Sequence, residues 1–472
     1  MRKILSIFCF SVSCLSLMAC SSSNKKAEKA TPAGYVSKSS GSFRLQPFKE
    51  VQLENGLKVV FIRDMSLPRV SLTLFVKTGV LQEPTEHAGL NALTAYLLEQ
   101  GTQSRDALKI ADEFGQLGSS LDVSPGLDTT TLYADSLSTG ADELLTLFSD
   151  VAMNPAFKDG EMGRIRSQMM ASLRKKIDNP SGFADMKMDQ YLFGDHPYSR
   201  EVNGTPETLR KISKQNIIRH YLTFYRPNNS SLAVVGNFGD DYESKVQEVF
   251  AKWTRRTIPV VTTTAAPAIE GLKVKLVVKK GLQQTQIRIA SLGVTRADEN
   301  FLKLRVGNEI LGGGFASRLN QKVRDDLGLT YSISSYFDSR KEKGSFGIST
   351  FTKNETAGKA LDEALQVMTS YLDTGATEQE IQASRNQLIG QFPRAIETAD
   401  RLAFNLLSLD FYGISYDYLT NYNRNINAIG VKDANTAMKQ VLNAQQLKVL
   451  VYGDESIISQ FQKFNPEIER LK

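Results

Sequence analysis

Apolar residues recur along this 472-residue chain at two spacings. Short, strand-length runs cluster near the start of each half. VQLENGLKVVFIRD carries Asn55-Gly56 as a turn signal, and VSLTLFVKTGV follows it. Further on, LKVKLVVKK is followed by TQIRIASLGV. Between these runs, apolar residues fall three and four apart, as in DELLTLFSDVAMNPAF and EMGRIRSQMMASLRKKIDNP. That spacing predicts amphipathic helices.

The layout occurs twice. After Val80 and after Val294 come a polar turn and a helix ending in glycine, at Gly101 and at Gly312 to Gly314. Each half then returns to a strand that closes on glycine, SLAVVG at Gly236 and LKVLVYG at Gly453. The Val80–Gly236 and Val294–Gly453 intervals agree to within three positions. Such agreement predicts a duplicated unit, with residues 46–256 as one half and 272–472 as the other. Residues 257–271, which include VTTTAAPAIEG, read as a linker. The expected class is α+β, with two homologous halves. Each half is a mainly antiparallel sheet covered on one face by helices.

Composition narrows the function. Hydrophobic content of 41% and charged content of 23% suit a folded soluble body. The net charge of +6 is spread along the chain with no basic, aromatic stripe, so nucleic acid is not the expected partner. MRKILSIFCFSVSCLSLMAC has basic residues, then an apolar run, then a small residue before cysteine, which predicts a signal peptide over 1–19. Leu17-Met18-Ala19-Cys20 resembles a bacterial lipobox, so Cys20 is the expected lipidation site. Residues 20–45 read as a flexible tether. That places the protein at the bacterial cell envelope, facing the periplasm, with the outer membrane favoured by Ser21. The other cysteines, Cys9 and Cys14, leave with the signal, so the body has neither disulfides nor thiolate metal sites.

One helix raises a question of chemistry. GLNALTAYLLEQGT, residues 89–102, has a Gly-Leu start and a Gly-Thr exit. With LENGLKVVF, GDHPYSREVNGTPETL, FYRPNNSSLAVVG and LGGGFASRLNQKVRDDLGLTYS in this order, the chain resembles the pitrilysin or insulinase (M16) metallopeptidases over nearly the whole body. Active members of that family carry H-x-x-E-H on this helix, with a third ligand, a glutamate, on a later one. Here Ala92, Leu93, Thr94, Ala95 and Tyr96 fill the motif, and Ala171 and Ser172 fill the later region. Catalytic zinc needs imidazole, thiolate or carboxylate donors, and these side chains supply none. The acidic run Glu83 to His87 contains Pro84 and reads as a loop at the helix entry. His196 lies in a GDHPY turn and His220 on a polar helix stretch.

The resemblance also implies what is kept. Bacterial family pairs split the labour between a zinc-bearing chain and one that supplies an arginine and a tyrosine seven residues apart. RDDLGLTY gives Arg324 and Tyr331, with Gly328 to turn the chain from helix to strand, and Tyr331 opening that strand. A guanidinium and a phenol can donate to the carbonyl oxygen on which charge builds during peptide hydrolysis. Gly312 to Gly314 lack the Lys-Ser/Thr of a phosphate loop, and Arg318 reads as structural.

The expectation is a lipoprotein that holds no cofactor itself and pairs with a zinc-bearing M16 paralogue to cut peptide. The alternative is a non-catalytic structural or peptide-binding lipoprotein, like the family's core subunits in respiratory complexes. A third is a self-sufficient enzyme with unusual ligands, which stoichiometric zinc on the isolated chain would reveal.

Overall fold

A computed structural model describes residues 45–471. The signal segment 1–19, Cys20 and the tether up to residue 44 lie outside the described residues.

The first sheet is built from β1 (Lys49–Gln52), β2 (Lys58–Arg63), β3 (Arg69–Val76), β4 (Asp122–Pro125), β5 (Thr130–Leu137) and β6 (Ser230–Gly236). Their order is β1-β2-β6-β3-β5-β4. The second holds β7 (Lys273–Val278), β8 (Gln284–Leu292), β9 (Ile333–Asp338), β10 (Ser345–Lys353), β11 (Lys448–Gly453) and β12 (Glu467–Arg470). It runs β12-β7-β11-β8-β10-β9. Both sheets are mixed and mainly antiparallel.

The Asn55-Gly56 signal makes the β1–β2 turn. Gly56 has φ of +92°, where a side chain is disfavoured, and the Leu57 amide donates to the Asn55 side chain at 3.1 Å. Successive strands β2 and β3 are not neighbours. The returning strand β6 slots between them, parallel to β2 and antiparallel to β3. In the second half β11 takes the same place between β7 and β8. Gly236 ends β6 with φ of +127°, and a Cβ there would lie 1.9 Å from the Arg69 carbonyl oxygen. Only glycine fits where the returning strand passes so close. The duplication is inexact at one edge, since β1 pairs antiparallel with β2 whereas β12 pairs parallel with β7.

The sheets are covered on both faces, not on one. Val59 and Phe61 of β2 point into one apolar core, while Val60 and Ile62 point into another. The second core consists mainly of residues from the other half. Its helix Ala399–Tyr412 lies on β6, β2 and β3. Reciprocally, the first half sends its helix Pro180–Phe193 onto β8 and β11. There Phe183, Met188 and Leu192 pack against Val277, Leu450 and Tyr452. Burying both faces explains why every residue of β6 is buried, with LAVVG following its two serines, whereas β5 alternates buried and half-buried residues.

Charges pin each exchanged helix. Asp410 accepts from Lys58 at 2.6 Å, Lys77 at 3.0 Å and Ser231 at 3.0 Å. Asp400 takes Arg69 at 2.6 Å. On the other side the buried Arg288 donates to Asp185 at 2.5 Å and to Ser181 at 2.8 Å. Residues 257–271 form neither helix nor strand.

Candidate functional site

The helix with the motif frame spans Leu90–Leu98. It packs on the helices Lys214–Phe224 and Asp159–Asp178 and against β4. Gly89 enters it with φ of +91°. Ala92, Leu93 and Ala95 are wholly buried, and Thr94 bonds back to the Leu90 carbonyl at 2.7 Å. Tyr96 is half-buried, and Ala171 and Ser172 are exposed on the helix Asp159–Asp178. Methyl groups at Ala92 and Ala95 and a phenol at Tyr96 thus stand where imidazoles and a carboxylate are needed, and the residues present do not fit zinc. Among the described residues, no group of three or more His, Cys, Asp or Glu side chains could hold a metal ion.

The acidic run before this helix has another use. Glu83 is buried and accepts from the backbone amides of Gly89 at 3.0 Å and Asn91 at 2.6 Å. It caps the helix entry. Burial outweighs these donors and pushes its carboxyl up to about 8.

Two histidines are also spoken for. His196 accepts from the Tyr198 amide through Nδ1 at 3.0 Å, and its Nε2 lies 2.7 Å from Glu342 of the other half. His220 is not on a solvated face. Although its neighbours in sequence are polar, it falls in the buried row Ile217, His220, Tyr221 and Phe224. Its Nε2 sits 3.1 Å from the Asn91 side-chain oxygen, and burial drives its pKa down to about 3.

Arg324 and Tyr331 come together. Asn320–Asp326 forms a π-helical turn, a form that often marks functional sites. Val323 buries its side chain and Arg324 points outward beside it, half-buried. Gly328 has φ of +59°, and the amides of Gly328 and Leu329 bond back to Arg324 and Val323 at 3.1 and 3.0 Å. This tight exit brings the Arg324 guanidinium to 5.8 Å from the centre of the Tyr331 ring. Tyr331 is 81% exposed. It precedes β9 rather than opening it, because the strand begins at Ile333. Its neighbours are fastened to β10, with the Thr330 hydroxyl donating to Phe351 O at 2.6 Å and the Thr350 hydroxyl to Ser332 O at 2.9 Å. An exposed phenol therefore rides on a braced segment.

A third member escaped the sequence reading. Phe315 is 76% exposed, and its ring centre lies 4.8 Å from the Arg324 guanidinium. The available signal was an aromatic residue directly after three glycines. Those glycines allow close packing, since a Cβ on Gly312 would lie 2.5 Å from the Ser335 hydroxyl. Arg318 differs from Arg324. It forks onto Glu380 at 2.7 and 2.8 Å and donates to Gly375 O at 2.8 Å. The nearest carboxylate to Arg324, that of Asp325, is 3.9 Å away. Arg318 is thus tied into the fold, and Arg324 is left with aromatic neighbours and solvent.

Comparison with known proteins agrees with this architecture. A family model described as insulinase (peptidase family M16) matches residues 58–205. A second, described as peptidase M16 inactive domain, matches 211–388. An uncharacterised zinc protease of Bacillus subtilis is 23% identical over 75% of this chain and 85% of its own length. One of Rickettsia felis is 25% identical over 72% and 82%. Among solved structures, a peptidase M16 inactive domain from Pseudomonas fluorescens superposes with a TM-score of 0.80 at 26% identity, covering 86% of this chain and 98% of that one. A protease from Helicobacter pylori shares the fold, with a TM-score of 0.80 at 17% identity, covering 87% of this chain and all of its own. With both family models matched in order along two six-stranded, helix-covered halves, this chain belongs to the insulinase (M16) peptidase family.

Proposed function

We propose that this chain is the non-zinc-binding subunit of a two-chain peptidase, and that it supplies Arg324 and Tyr331 to substrate held against a zinc-bearing M16 partner. The observation that carries this reading is the contrast between its two halves. The motif helix of the first half has buried alanines where a ligand and the general base belong, while the second half presents an arginine beside an exposed tyrosine on a braced turn.

The partner's metal would supply the polarised water. This chain's part is binding and charge stabilisation. The Arg324 guanidinium and the Tyr331 hydroxyl donate to the peptide carbonyl oxygen, whose charge grows as the bond is attacked. Neither group needs to gain or lose a proton to do so. Arg324 has no tight carboxylate partner to give up when substrate arrives. Lipidation at Cys20 would hold the complex at the envelope, facing the periplasm, and a Cys20→Ser chain recovered in the soluble fraction would fit that placement.

The direct test is reconstitution. The chain and a zinc-bearing M16 paralogue from the same genome are purified separately and mixed with a peptide substrate. Cleavage is expected from the mixture and not from this chain alone. Cleavage by this chain unaided would overturn the reading. A mixture that forms no complex and cuts nothing beyond the partner's own rate would also overturn it.

A further inference from the structure

The Phe315 ring does two things at once. It stacks beside the Arg324 guanidinium, and it forms one wall of a separate surface pocket of about 260 Å³. That volume lies below what a whole small-molecule ligand occupies and suits one large side chain. Ile310 is buried at the floor, and Ala316 and Ala383 are exposed at the mouth.

The polar groups lining the pocket do not favour a charged guest. Both oxygens of Glu380 are occupied by Arg318 at 2.7 and 2.8 Å. Glu309 lies against the Gly314 backbone, and burial holds its carboxyl above the usual range. Ser317 and Ser384 are buried, Gln387 adds one neutral amide, and the rest of what a guest meets is aromatic ring and aliphatic carbon.

We propose that this pocket is a specificity subsite, which takes a leucine- or methionine-sized apolar side chain of the peptide whose backbone is held at Arg324 and Tyr331. The proposal rests on the reading of that pair as a substrate contact, and adds to it the class of residue that is selected. An extended peptide spaces its side chains about 3.3 Å apart along alternating faces, so one beside the held carbonyl lies within reach of the Phe315 ring.

The test uses the complex with its zinc-bearing partner and a set of matched peptides. A leucine is walked through each position flanking the cut, in a glycine and serine background. One position is expected to lower KM about tenfold when it carries leucine and not when it carries aspartate or lysine. Ala383→Trp, on an exposed helix face, fills the mouth without touching the core. It is expected to abolish that preference, so that leucine and glycine peptides are cut alike. Phe315→Ala is expected to weaken the same preference.

If Ala383→Trp leaves the leucine preference intact, or if lysine is preferred, the subsite is wrong. The underlying reading is tested separately by Arg324→Ala, which should slow every peptide alike. If that variant slows cleavage while no leucine position stands out, the subsite fails and the Arg324 role survives. If neither variant changes cleavage, both fail.

Discussion

Arg288, buried in β8, reaches across the boundary between the halves to the carboxylate of Asp185 on the exchanged helix, 2.5 Å away. It also donates to the carbonyl oxygens of Ile287 and Thr350. The guanidinium is nearly dry, whereas the Asp185 side chain is about half exposed. Removing the acid leaves a buried cation short of a partner. Asp185→Ala is expected to cost about 2 kcal/mol in denaturant unfolding, reduced from a fully buried pair by solvent at the carboxylate. Replacing both partners with apolar groups, as in Arg288→Met with Asp185→Ala, should recover much of that loss. A single variant as stable as the wild type would show that the exchanged helix is held by its apolar face alone.

The motif helix should resist restoration. Ala95 is completely buried, at the position where the family's general base would stand. Ala95→Glu forces a carboxylate into an apolar contact, with an expected loss of about 2–3 kcal/mol. An Ala95→Glu protein as stable as the wild type would show that the face is open, not core.

Arg318 and Arg324 should separate by assay. Losing the Arg318 fork onto Glu380 is expected to destabilise the chain by about 1–2 kcal/mol. Arg324→Ala should change stability by less than about 0.5 kcal/mol, because it breaks no tight ion pair. The Arg318 hydrogen bond also holds the Glu380 carboxyl down to about 2. That contribution is present above the ordinary glutamate range and is lost as the pH falls toward 2. Equal melting-temperature losses for the two alanine variants would contradict the division.

Stability should fall as the solution turns alkaline. Glu83 has its folded pKa raised to about 8, so the folded chain keeps a proton that the unfolded chain releases above the ordinary glutamate value. Its contribution is full below that value and disappears as the pH rises through about 8. His220, lowered to about 3, works in the opposite sense, with stability present above the ordinary histidine value and lost in acid. Asp189, pushed up to about 7 by burial, loses its contribution in the same direction, so the Glu83 effect stands apart between about pH 7 and 8. Wild-type unfolding free energy should decline over that window, and Glu83→Gln should flatten the decline. An unchanged slope in the variant would put the cause elsewhere.

Much of this was legible in the residues, for physical reasons. Asn55-Gly56 specifies a turn locally, so it read correctly. The glycines closing β6 and β11 marked the repeat because both sites are crowded, Gly236 by the Arg69 backbone and Gly453 by the Thr285 and Ile457 side chains. The missing ligands were legible because zinc accepts few donor types.

What failed to read was tertiary. Nothing local in Pro180–Phe193 or Ala399–Tyr412 shows that each lies on the other half's sheet. The second covered face was missed for the same reason. Polar neighbours disguised His220, whose burial depends on where the helix axis points. Phe315 was marked only by the three glycines before it, since its place beside Arg324 comes from two π-helical turns, Glu309–Gly313 and Asn320–Asp326, that no short-range rule encodes.

The role proposed for Arg324 and Tyr331 is direct action on substrate. The measurement closest to it is kcat of the mixed complex, with Arg324→Ala and Tyr331→Phe each set against wild type on one peptide. The account predicts a fall of about a hundredfold for Arg324→Ala and a smaller fall for Tyr331→Phe, with complex formation unchanged. Full activity in both variants, at undiminished complex, would contradict it.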